Sequence, residues 1–212
     1  LQSVPEDGGC DEGPSYWNVA GGKLFVFLEF LRYATNNKID IYNHTLIKEM
    51  GRYIYRVHIN KNYFVNFADC PGIVNPSPVV VYGYGKRIKD KKMQCLGSYL
   101  FKLNSGKINE YNLISRLLLF SKFPEIHKYP SSPPLISDFW FKKTQVLIVR
   151  EKEKSLKGIF FAIKGGHNGE RHNHNDVGSF IVYVDGKPVL VDPGVGEYTR
   201  KTFSNERYNI WT

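Results

Sequence analysis

Apolar residues in the first half of the chain recur at spacings of three and four. Val19, Leu24, Phe27, Leu28 and Leu31 fall on one broad face and predict a helix from Tyr16 to about residue 36. Gly21 and Gly22 lie inside that span at a cost of roughly 1 kcal/mol each relative to Ala, which close approach to another backbone or a ligand would explain. A second helix is expected from Asn43, whose side chain can cap it, with Leu46, Ile47, Met50, Ile54 and Val57 inward. These two helices are expected to pair. Residues 62–68 are aromatic and alternating, the mark of a short extended connection. Pro76 and Pro78 open a third helical stretch running to about Leu103, and 108–123 reads as a fourth, with Leu113, Leu117 and Phe120 inward.

The character of the chain then changes. Pro124, Pro130, Pro133 and Pro134 break both helix and strand. Beyond them, 146–150 and 158–164 read as strands. Phe180, Val182 and Val184 alternate with Ser179, Ile181 and Tyr183, Asp185-Gly186 supplies the two positive-φ residues of a type I′ turn, and 187–192 returns. A two-residue loop sets Val184 against Lys187, and the ladder then carries Asp192 to a place opposite Ser179. The boundary is expected within 124–140, dividing a helical domain, 1–128, from an antiparallel β domain, 129–212.

Composition narrows the class. Of the 212 residues, 42% are hydrophobic and 15% aromatic, enough for a buried core and too much for a disordered chain. The longest apolar run, near Leu24 to Leu31, is too short to span a bilayer and is interrupted by Glu29. Cys10, Cys70 and Cys95 lack metal-binding spacing and allow one disulfide at most. The chain starts without methionine and stops within sequence that still reads as β, so it is expected to be part of a longer protein. A net charge of +9 favours an anionic partner. The densest basic run, 86–92, reads as a solvated helix face, and no nucleic-acid motif accompanies it.

Candidate chemistry concentrates in G-G-H-N-G-E-R-H-N-H-N-D, residues 165–176, which hold three of the six histidines. His172 and His174 are two apart, so an extended backbone would point both to one face. With Asp192 beside the loop, they form a nitrogen and oxygen donor set without thiolate, which suits zinc or another borderline divalent ion. The alternative is a polar loop whose histidines only hydrogen-bond their neighbours.

H-N-H-N-D-V-G-S-F-I-V-Y followed by D-G-K-P-V-L-V-D-P-G-V-G, together with the earlier D-E-G-P-S-Y-W, resembles the heparinase II/III family of polysaccharide lyases. The resemblance implies the C-terminal part of an (α/α) toroid followed by an antiparallel β-sandwich, with the cleft between them. It further implies β-elimination on a uronic-acid-containing glycosaminoglycan such as heparin or heparan sulfate, in a periplasmic or secreted bacterial protein. In such a reaction a base removes the proton beside the carboxylate and an acid assists the leaving oxygen. By this resemblance Tyr16 and His172 are the catalytic pair, and His174 and Asp192 are two ligands of a divalent metal, most simply zinc. The split between His172 and His174 requires a twisted or bulged backbone at Asn173. A third metal ligand would lie beyond Thr212, and the residue that neutralises the carboxylate before Leu1.

Glu12 could orient Tyr16 or bind sugar hydroxyls, and Asn168 and Arg171 could meet anionic sugar groups, although an exposed arginine is more often a surface ion-pair partner. Asp176 reads as an anchor of the loop. His44, His58 and His127 read as packing or surface residues. Two rival readings remain. G-x5-H-x-H begins a cupin metal motif, but Gly178 and Ser179 stand where its glutamate belongs. A carbohydrate-binding module without catalysis would use Trp17, Trp140 and Trp211 as stacking surface.

Overall fold

The computed structural model describes residues 4–106, 116–117, 124–169 and 174–206. It is a mixed helical and antiparallel-sheet structure, with α1 Gly21–Ala34, α2 Thr45–Arg56, α3 Pro78–Arg87 and α4 Lys91–Leu103 in the helical half. A two-stranded ribbon, β1 His58–Asn60 and β2 Tyr63–Phe64, interrupts the helices. The main sheet is a meander of β3 Asp138–Phe141, β4 Val146–Arg150, β5 Ile159–Lys164, β6 Phe180–Val184 and β7 Lys187–Leu190, each strand antiparallel to the next. The expected fourth helix, 108–123, falls almost wholly outside the described residues.

Several helical expectations shift. Tyr16 lies in a separate 3-10 turn, Pro14–Asn18, and α1 starts only at Gly21. A Cβ on Gly21 would stand 2.7 Å from Trp17 Nε1, so the close approach is to that indole, which donates to Met50 O at 2.8 Å. The inward face of α1 is Phe25, Leu28 and Glu29, while Val19 and Phe27 are exposed. Glu29 is buried because both oxygens accept from Arg87, Nε and Nη2 each at 2.7 Å, and Tyr42 donates to it at 3.1 Å. The cap of α2 is His44 rather than Asn43, its Nδ1 accepting from Leu46 N; Ile47, Met50, Ile54 and Val57 are buried as expected.

The stretch read as one third helix is two. Lys89 takes φ +57° and Asp90 Oδ1 accepts from Met93 N at 3.0 Å, ending α3 and capping α4. The tightest pairing is therefore α3 against α4 rather than α1 against α2. Cβ atoms are excluded between them: one on Gly97 would meet Tyr82 N at 2.5 Å. The basic run is no single helix face either, since Arg87 is committed to Glu29 and Lys86 pairs with Glu125.

The sheet presents two faces. Phe141, Ile148, Arg150, Phe160, Ala162, Ile181 and Tyr183 are buried against the helical half. Arg150 fastens that seam, donating from Nη2 to Ile59 O at 3.0 Å and lying over the Phe160 ring at 4.9 Å. Asn60 Nδ2 donates to Gly186 O across the same seam. Asp185 at φ +49° and Gly186 at φ +74° make the expected type I′ turn, with Val184 opposite Lys187. The ladder then slips by one, Val182 facing Leu190, so the strict count to Asp192 fails. A side-chain bond restores the neighbourhood: Ser179 Oγ donates to Asp192 Oδ2 at 2.6 Å.

Candidate functional site

The loop before β6 is anchored from below. Lys164 Nζ lies 2.8 Å from Asp176 Oδ1, both side chains nearly enclosed, and Asn175 takes φ +54°. His174 is thus held on an irregular segment rather than on a strand; the expected bulge at Asn173, with Arg171 and His172, lies outside the described residues. His174 Nε2 is 2.7 Å from Asp69 Oδ1. A carboxylate only accepts, so Nε2 carries the proton in that contact.

Asp69 belongs to the helical half, in the turn after the β1–β2 ribbon, and its side chain is buried. Ala68 before it takes φ +61°, an unfavourable conformation for a residue with a Cβ, of order 1 kcal/mol or more. Ser15 Oγ donates to Asp69 O at 3.0 Å, linking this turn to the segment that carries Tyr16. Tyr198, in the loop after β7, hydrogen-bonds through its phenol to both Asp69 and Tyr16. Partial burial, with the Asp69 carboxylate beside it, pushes the Tyr198 phenol above its ordinary value. Tyr16, Tyr198, Asp69 and His174 therefore form one hydrogen-bonded chain running between the two halves.

Glu12 and Tyr16 line one cavity of about 260 Å³, walled also by Trp17 and Ala20. His174 and Asp192 line a second depression, of about 270 Å³, on the sheet side. Asp192 is fixed there by Ser179, by Gly194 N donating to Oδ1 at 2.7 Å, and by Asn66 Nδ2 donating to its carbonyl at 3.0 Å. Gly194, at φ +72°, sits where a Cβ would strike Cys70 O at 2.7 Å. Asn168 is exposed on its loop, away from both of these walls. A third cavity, of about 210 Å³ between the halves, is lined by Cys10, Asp11, Lys143, Lys164 and His167 over an apolar floor.

A histidine held by a carboxylate through one ring nitrogen is the usual arrangement of a metal-binding imidazole, and Asp69 supplies that carboxylate to His174. Among the described residues no three His, Cys, Asp or Glu side chains are gathered closely enough to hold an ion. All three cysteines are free, and burial raises the Cys10 thiol to about 12 and the Cys70 thiol to about 11.

Asp69 and Tyr198 are the residues that sequence reasoning missed. The signal for Asp69 was an acid in the turn-forming A-D-C-P-G, directly after an alternating aromatic stretch. Tyr198 follows D-P-G-V-G-E, a glycine-rich loop leaving the very aspartate already singled out. Of the two rival readings, the cupin one does not fit a five-stranded meander backed by helices; for the sugar-stacking one, Trp17 is 2% exposed, Trp140 is 40% exposed and Trp211 lies outside the described residues. Among the described residues no helix is long and apolar enough to cross a membrane.

No curated protein matches the chain. Residues 137–210 match the family described as Heparinase II/III-like, C-terminal, a span that contains the whole main sheet, the histidine loop, Asp192 and Tyr198. The sheet and the histidine loop thus lie in a segment similar to the C-terminal unit of the heparinase II/III-like family.

Proposed function

We propose that the chain is part of a polysaccharide lyase that cleaves a uronic-acid-containing glycosaminoglycan, heparin- or heparan-sulfate-like, by β-elimination. The observation that carries this reading is the chain Tyr16–Tyr198–Asp69–His174, which places a tyrosine of the helical half in contact with the family-matched unit. Tyr16 and His172 are assigned the proton transfers: one takes the proton beside the uronate carboxyl, the other protonates the departing glycosidic oxygen. Glu12, which shares a cavity wall with Tyr16, binds sugar hydroxyls, and Asn168 and Arg171 meet anionic groups of the chain. The net charge of +9 suits such a polymer.

His174 and Asp192 are assigned to a divalent cation, zinc by the chemistry of an imidazole and carboxylate pair, which would steady the sheet side of the cleft. No proton transfer passes through it. In the parent protein the helices belong to an (α/α) toroid, the sheet is one layer of a sandwich, and the site faces a periplasmic or extracellular space.

The test is incubation of the full-length protein with uronic-acid polysaccharides, followed by the ultraviolet absorbance of the new C=C bond conjugated to the carboxylate. Tyr16→Phe is expected to lower kcat by about 10²–10⁴-fold, the range of a lost general acid or base. His174→Ala should lose bound zinc as well as activity. Full turnover by Tyr16→Phe, or no unsaturated product from any uronate polymer, would sink the assignment.

A further inference from the structure

The turn of residues 66–70, in the helical half, touches both residues assigned to the cation. Asp69 Oδ1 lies 2.7 Å from His174 Nε2, and three positions earlier Asn66 Nδ2 donates to the Asp192 carbonyl at 3.0 Å. The turn is itself fixed: Cys70 N donates to Ala68 O at 2.7 Å and Ser15 Oγ to Asp69 O at 3.0 Å. The Asp69 side chain is 1% exposed, so water does not compete for its contact with the imidazole. Valence and position then separate the two ring nitrogens. A carboxylate only accepts, so Nε2 holds the proton, and the lone pair of the neutral imidazole is on Nδ1. His174 and Asp192 line the depression on the sheet side, whereas Asp69 is no part of its wall. The carboxylate therefore stands behind the ring as seen from that depression, and an imidazole with a carboxylate around it is a donor set that fits a divalent cation.

We propose that Asp69 is a positioning residue for His174: from across the seam it holds the proton on Nε2 and turns Nδ1 toward the cation. The proposal rests on the assignment of His174 and Asp192 to that cation. An ionised carboxylate on the far nitrogen orients the ring and makes the other nitrogen a stronger donor, so its loss weakens metal binding without removing a ligand. The helical half thus tunes a site whose two assigned ligands lie in the sheet half. An Asp69 that only tied the halves together would show in unfolding and not in metal affinity.

Full-length wild type, His174→Ala, Asp69→Ala, Asp69→Asn and Asn60→Ala are compared by competition for zinc against a chromogenic chelator. Asp69→Ala is expected to raise the zinc Kd by about 10–100-fold, the scale of a lost carboxylate behind a metal-binding histidine. Asp69→Asn keeps an acceptor for Nε2–H but not its charge, and a charge-assisted bond is about twice as strong as a neutral one, so its Kd should fall between wild type and Asp69→Ala. Asn60→Ala removes the bond to Gly186 O elsewhere on the seam and should leave Kd unchanged. A wild-type Kd in Asp69→Ala, or an equal rise in Asn60→Ala, overturns the positioning role alone. A loss in Asp69→Asn as complete as that in His174→Ala would make Asp69 a ligand itself and overturns the role too. A wild type that binds no zinc, or a His174→Ala that binds it as wild type does, overturns the metal assignment and this role with it, so the His174 variant distinguishes the two failures. Should Asp69→Ala depart from the wild-type circular dichroism spectrum, Asp69→Asn gives the reading, and a Kd equal to wild type there overturns the proposal.

Discussion

His58 is the buried group whose ionisation the fold opposes most plainly. Its ring is 2% exposed at the seam where the sheet meets β1, Nε2 contacts Lys61 O at 2.9 Å, and Nδ1 has no hydrogen-bond partner. Burial, reinforced by the nearby Arg150 guanidinium, lowers its pKa to about 4 against an ordinary 6.5. The unfolded chain therefore takes up a proton below pH 6.5 that the folded protein refuses until about pH 4. Stability is full above pH 6.5, declines between 6.5 and 4, and changes no further below 4 on account of this residue; the total is about 3 kcal/mol. Urea unfolding across that window should show His58→Gln with a shallower acid loss than wild type, and parallel profiles would exclude His58 as the cause. A lone histidine at a helix end reads as packing or surface, and only the sheet that covers it decides for packing and opposes its charge. His174 stands among glycines and asparagines that no core would hold, which marks its loop but not the partner, Asp69, that the loop delivers it to.

At the scale of elements, the interior faces of α2 and of β4 to β6 follow from periodicity, because one face of each dominates its burial. Breaks in helices follow less readily. Asp90 stands within the basic stretch 86–92 and reads as part of a charged surface, yet its carboxylate caps α4 and also accepts from Arg52 Nε at 2.9 Å. Capping is a two- or three-residue event that hydrophobic spacing does not register. The same holds for Gly97, unremarkable as a letter but the point at which α4 touches the backbone of α3. Gly97→Ala puts a Cβ 2.5 Å from Tyr82 N, and the helices must part to accommodate it. A loss of about 1–3 kcal/mol is expected by chemical unfolding, the scale of an overpacked core. Gly72→Ala is the control, with nothing within 4 Å of the added methyl; equal effects at the two positions would show that helix separation is not what Gly97 relieves.

The whole molecule leaves one large surface that its sequence treats as interior. Register aligns Trp140, Leu147, Ile163 and Phe180 in one row across four strands, and Val149, Phe161, Val182 and Leu190 in the next, with Ile159 beside Val184. All lie on the face turned away from the helices, and Trp140, Val149, Ile159, Phe180 and Val184 are each about two-fifths to one-half exposed. Strands that are apolar on both faces belong to sheets covered on both, and contiguous apolar patches of several hundred Å² are rare on monomers. The helical half covers one face. The other is where the family resemblance implies the second layer of a sandwich, and neither alternation nor composition could have told which face would stay bare. A polypeptide of these 212 residues alone should accordingly bind a hydrophobic dye and self-associate in sedimentation. Val149→Lys with Val182→Lys, neighbours of Phe161 in the same row, should abolish both properties while leaving the unfolding midpoint near wild type, because neither side chain touches the helical core. A monodisperse wild type that ignores the dye would mean that the bare face is not adhesive, and that these rows of aliphatic and aromatic side chains cover one another well enough to face water.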